Sequence, residues 1–137
     1  MTNGLPLLPR TLKAVLVLSA IVLNALGGGL VFASHWIARL YGASESISGT
    51  NASQTAGAAI LALGILAWIG ARQEMRVVRA AVVPILFVWF LLKSIVAYLG
   101  LAAGVFQVSV GKTVFAFDVL LTIAYGYFLV VGLFDKP

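Results

Sequence analysis

Four apolar runs, residues 14–34, 52–71, 80–101 and 113–134, constrain this chain more than any other feature. Each has roughly the 20 residues that a helix needs to cross a hydrocarbon core. With 62% hydrophobic and 9% charged residues in a total of 137, the chain carries more apolar surface than one soluble core of this size can hide. The expected fold is all-α: an integral membrane four-helix bundle forming a single transmembrane domain over 1–137, with membrane lipids as its solvent.

The first run is longer than the 7–15 residues of a signal-peptide core, and Ser34-His35-Trp36 is no small-x-small cleavage site. It reads as a retained span. Cysteine is absent, which removes disulfides, thiol redox chemistry and thiolate metal sites. The net charge of +5 is scattered between apolar runs and forms no basic stripe, so nucleic acid is not an expected partner.

The basic residues read as topology signals. Arg10, Lys13, Arg72, Arg76, Arg79 and Lys136 fall on one side of the spans, Arg39 and Lys112 on the other. Lysine and arginine near span ends are kept preferentially in the cytoplasm, so both termini are expected inside. Residues 72–79 then form a short inner hairpin. Pro84 is expected near the start of span three, where a missing N–H costs little. The roomy connection is an outer loop over 35–51, expected to begin as a short interfacial helix anchored by Trp36, Arg39 and Tyr41 and to continue as coil. Residues 105–110 alternate too briefly to argue for a strand. The Asn51-Ala52-Ser53 triplet matches a glycosylation site, a cheap match that chance explains better.

Two ionisable residues lie inside spans, Lys93 and Asp118. Each costs roughly 2.5–3.5 kcal/mol on insertion scales, so each needs a partner. Counted from the shared outer end of spans three and four, they lie at depths of roughly 12 and 8 Å, a difference that a lysine stem covers. They are expected to pair, either as a ligand site or as a device that fixes helix register.

Other polar and aromatic residues are expected at the same level. Gln54 and Ser53 open span two, His35 closes span one, and Asn24 lies deeper in span one. Asp118, Thr122 and Tyr125 share a face of span four, with Trp89 and Phe90 one turn inward of Lys93. Together they would line a largely apolar pocket open to the outer leaflet, of the kind that takes a small ligand. The plainer reading makes Trp36, Tyr41 and Tyr98 interface anchors and Asn24 helix glue. Within Gly27-Gly28-Gly29, the stripe Ala20, Asn24 and Gly28 suggests close packing, as Gly57 and Gly64 do on span two. Phe87, Trp89 and Phe128 suggest an exposed aromatic face. No phosphate loop, nucleophile with its base or carboxylate pair can be assembled, and a single histidine cannot supply bis-histidine haem ligation. No cofactor is indicated.

These features together resemble the DoxX-like bacterial inner-membrane proteins, compact four-helix bundles of this length. The likeness spans the chain: an outer loop after span one, a polar Asn51-Ala52-Ser53-Gln54 entry to a Gly/Ala-rich span two, a basic inner hairpin, one basic residue in span three and one acidic residue in span four. Gln54 stands where such proteins more often carry a charge. The resemblance implies the fold, a multi-pass place in the bacterial inner membrane, and accessory or quinone-associated roles. The expected function is non-enzymatic: binding of a lipid, quinone or other hydrophobic ligand, or of a partner helix, as an accessory subunit of a larger complex. The alternative is a homo-oligomeric proton- or cation-coupled transporter. A membrane enzyme ranks last, since its chemistry would have to come from a cofactor.

Overall fold

The computed structural model describes residues 10–42, 47–104 and 107–134. Helix α1 covers Arg10–Phe32, α2 Ser34–Tyr41, α3 Ile47–Gly70 and α4 Met75–Val77; a π-helical turn over Val78–Val82 leads into α5, Val83–Ala102, and α6 covers Val108–Phe134. No strand occurs among the described residues. Four segments are long and apolar enough to cross a membrane: α1, most of α3, the run from the π turn through α5, and α6. Large apolar side chains such as Ile21, Val96, Leu120 and Ile123 are exposed on all four, a surface suited to lipid and unsuited to water. A helix satisfies its backbone N–H and C=O groups internally, as a segment crossing a membrane must.

The helices pack as two antiparallel pairs, α1 with α3 and α5 with α6. Leu12, Leu16, Ala20 and Leu23 of α1 form one core with Ile60 and Ala67 of α3, Leu86 and Phe90 of α5, and Leu121 and Tyr125 of α6. Small residues bring α1 and α3 close. A Cβ on Gly27 would sit 2.6 Å from Leu61 N and 2.8 Å from Gly57 O, and one on Gly64 would meet Asn24 Cγ at 2.8 Å. Such close backbone approach at small residues gives the van der Waals packing on which helix pairs rely where no hydrophobic force acts between them. The contact glycine is Gly27 rather than the expected Gly28, which has nothing within 4 Å of its would-be Cβ.

At Ala33 the chain leaves helical geometry (φ −141°), and α2 folds back so that Ile37 is buried against Gly29. Gly42 closes α2 in the left-handed conformation (φ 71°), its N–H directed at the carbonyls of Ala38 and Arg39, and it packs beside Gln107. The short helix expected after the first span is therefore present, with Trp36 exposed. Of the expected coil, residues 47–51 belong instead to α3, and 43–46 lie outside the described residues, as do the side chains of Tyr41 and of residues 47–51. At the opposite end of the bundle, a turn at 71–74 joins α3 to α4, and Arg72 stacks its guanidinium 5.0 Å over Trp68.

Pro84 stands at the second residue of α5, near the start of the third long apolar helix as expected, just after the wider π turn. Two further expectations change. Helix α6 starts at Val108, five residues before the expected span, while 105 and 106 lie outside the described residues. Phe87, Trp89 and Phe128 form no exposed aromatic face, because all three pack against the core.

Gly27→Ala is expected to destabilise the fold by about 1–3 kcal/mol, because the added methyl forces two backbones apart. Gly28→Ala meets open space and is expected to be neutral or to stabilise by up to about 1 kcal/mol through helix propensity. Thermal unfolding in detergent, followed by tryptophan fluorescence, checks the pair; equal midpoints would refute this packing of α1 on α3.

Candidate functional site

Helix α5 carries Lys93 nine residues before its last residue, and α6 carries Asp118 ten residues after its first. At about 1.5 Å per residue both lie roughly 14–15 Å from the shared end of the pair, closer in depth than the apolar runs alone suggest. Lys93 Nζ donates to Asp118 Oδ1 at 3.0 Å. The carboxylate side chain has no exposed surface, while that of Lys93 keeps 21% of its own. The pair is thus asymmetric: a fully enclosed acid holding a partly accessible base.

Hydroxyls flank it. Thr122 Oγ donates to the Asp118 carbonyl one turn earlier (2.7 Å) and Ser94 Oγ to that of Phe90 (2.8 Å), back-bonds that satisfy hydroxyls inside a helix. The two oxygens stand 3.3 Å apart across the α5–α6 seam. With one proton on each, they cannot make both back-bonds and the cross-seam bond at full strength, so one proton is shared. One turn further along α6, Tyr125 is fully buried, stacked on Phe90 (centroids 5.7 Å apart, planes 7° from parallel), and donates to Ser19 Oγ of α1 at 2.7 Å. That bond ties the α5–α6 pair to α1.

Among the described residues, two buried side-chain polar atoms lack a hydrogen-bond partner, Asp118 Oδ2 and Trp89 Nε1. An unmet buried group costs on the order of 1–3 kcal/mol, and such groups in a native fold call for a reason. One is an acceptor and the other a donor, and Trp89 precedes Lys93 by one helical turn. Lys93 spends one of its three N–H groups on Oδ1 and so can serve a second acceptor.

The expected site residues separate into two groups. Lys93, Asp118 and Thr122 come together, with Trp89 on the same α5 stripe and Tyr125 joined through the Phe90 stack. The other three belong to the α1–α2–α3 side. Gln54 is exposed and donates to the Val31 carbonyl of α1 at 3.4 Å; Asn24 packs against Gly64; His35 is exposed on α2. Asn24 and Gln54 thus stitch the α1–α3 seam, and the single pocket expected from all eight residues is replaced by a compact polar cluster in the α5–α6 seam. Ser94 and Ser19 were not singled out from sequence. Ser19 was legible as the one hydroxyl on the buried stripe Leu12, Leu16, Ser19, Leu23.

Among the described residues no group of three or more His, Cys, Asp or Glu gathers to hold a metal. The cluster offers a cation fixed deep in an apolar layer, a shielded carboxylate oxygen and an indole N–H, which suit the recognition of a polar head on an apolar molecule. Compared with known proteins, the chain matches no family model, no curated sequence and no solved structure.

Removing one partner of a buried ion pair strands the other. Lys93→Met is therefore expected to cost roughly 3–5 kcal/mol, and Lys93→Met/Asp118→Leu to recover most of it. A double-mutant cycle on unfolding midpoints in detergent reads the coupling; additive effects would show that the two side chains do not pair.

Proposed function

We propose that this protein is a non-enzymatic four-span module of the bacterial inner membrane, with both termini in the cytoplasm, that binds the polar head of a lipid or quinone at the Lys93–Asp118 cluster and serves as an accessory subunit. The orientation rests on the basic residues of the hairpin end and of the start of α1. The observation that carries the binding reading is the asymmetry of the ion pair. Asp118, wholly enclosed, holds the Lys93 ammonium about 14–15 Å deep, and Lys93 alone of the two retains exposed surface. A cation kept at that depth costs several kcal/mol unless it is matched, and a group meant only to lock register has no need of an open side. An acceptor oxygen arriving from the lipid, such as a quinone carbonyl or an ester, would meet the remaining N–H groups of Lys93. Kinship with the DoxX-like proteins is part of the same proposal and rests on the shared order of charges and spans.

The rival reading, a homo-oligomeric proton- or cation-coupled transporter, draws on Asp118 Oδ2, which is buried and without a donor. Lys93 on the neighbouring oxygen counts against it, since the carboxylate already holds a cation of the protein's own.

Native mass spectrometry of protein extracted gently from its own membrane separates the two. The expected result is a copurifying lipid or quinone that is lost in Lys93→Met and kept in Lys93→Arg. A ligand-free dimer whose gradient-driven flux in proteoliposomes disappears in Asp118→Asn would replace this reading with transport.

A further inference from the structure

A second site lies at the other end of the molecule, on α1. Arg10, Lys13, Ala14, Val17, Leu18 and Ile21 border an open depression of about 460 Å³. Positions 10, 14, 17 and 21 repeat at helical spacing, so the feature is one continuous slope of a single helix, cationic at its start and apolar along its length. From Lys13 to Ile21 the apolar part rises about 12 Å. Leu18 and Ile21 are 46% and 59% exposed, turned away from the core that Leu12, Leu16 and Leu23 fill.

Arg10 and Lys13 have no ion-pair partner among the described residues, whereas three of the other six described basic residues are engaged. Lys93 is held by Asp118, Arg72 is stacked on Trp68, and the aliphatic stem of Arg79 lies against Gly132. Arg10 and Lys13 are both exposed, α1 holds no acidic residue, and the two stand three residues apart on neighbouring positions of one turn. Two adjacent cations above an apolar slope match an amphiphile with a negative head and a hydrocarbon tail.

We propose that this slope is a binding site for an anionic phospholipid, with Arg10 and Lys13 on the phosphate and an acyl chain laid along Val17, Leu18 and Ile21. The occupant follows from charge complementarity at the head and apolar complementarity below it. Arginine supplies the planar fork that fits phosphate oxygens, and lysine a point charge beside it. The site shares no residue with the Lys93–Asp118 cluster.

The test is native mass spectrometry of the full chain in detergent, titrated with phosphatidylglycerol or with phosphatidylcholine of identical acyl chains. Wild type is expected to prefer phosphatidylglycerol. Arg10→Gln/Lys13→Gln is expected to lose about 25-fold of that preference, since each basic residue near an anionic lipid contributes ~5-fold. Lys112→Gln, an exposed cation of α6 outside both sites, is expected to leave the preference unchanged. Ile21→Asn keeps both cations and is expected to weaken long-chain phosphatidylglycerol while sparing a short-chain analogue, which tests the tail contact even if the double variant folds poorly. Equal loss in Arg72→Gln/Arg76→Gln would assign the preference to overall charge and overturn the site. Competition by inorganic phosphate at the lipid's own concentration would overturn the lipid assignment in favour of bare phosphate.

Discussion

A carboxylate with no exposed surface in the middle of an apolar helix needs a cation at its own depth, and that requirement governs how α5 and α6 stand against each other. Sliding one helix past the other by a single turn would carry Lys93 about 5 Å along the seam and strand Asp118 in a medium that cannot hydrate it. The hydroxyl contact of Ser94 with Thr122 and the stack of Phe90 on Tyr125 lie on the same seam and hold only in that register. The polar pair therefore sets the alignment, and the apolar side chains around it fill the space that this alignment leaves.

The other pair of helices is held by different physics. Between α1 and α3 there is little polarity to align, and the seam relies on backbones brought close at Gly27, Gly57 and Gly64, with Asn24 lying against the last of these. Each glycine is a place where no side chain fits, so this seam specifies its register through shape. The bond from Tyr125 to Ser19 joins the shape-matched pair to the charge-matched pair at the centre of the core, where both oxygens are shielded from any competing solvent.

The parts of this architecture legible in the sequence are those that depend on one helix at a time. The number of long apolar helices, the hairpin near 72–79, the short helix after the first of them and the pairing of Lys93 with Asp118 all follow from hydropathy, charge and rise per residue. What escaped depends on two helices together. Gly27 and Gly28 are neighbours in sequence but point about 100° apart, and only the crossing of α1 on α3 decides which of them faces the partner. Asn24 and Gln54 looked like pocket residues because their depth matched that of Lys93; their direction around the helix axis assigns them to the α1–α3 seam instead. Helix ends were also misjudged. Hydropathy marks where a segment stops being apolar, whereas α3 and α6 continue through polar residues such as Ser48, Thr50, Ser109 and Lys112, whose polarity places no limit on helical geometry at a membrane surface.

The π turn at Val78–Val82 gives the run from Met75 to Ala102 the character of a helix with one residue too many. An extra residue absorbed within a single turn rotates everything beyond it by roughly 100° relative to what lies before. The face that α4 presents at the hairpin and the face that α5 turns toward α6 are accordingly not the same stripe of a regular helix. A wheel drawn through Met75, Arg79 and onward would carry Lys93 about a quarter turn away from Asp118. The charge match that aligns the second helix pair is thus aimed by a backbone irregularity more than ten residues away, in a stretch of valines and alanines with no polar chemistry of its own apart from Arg79.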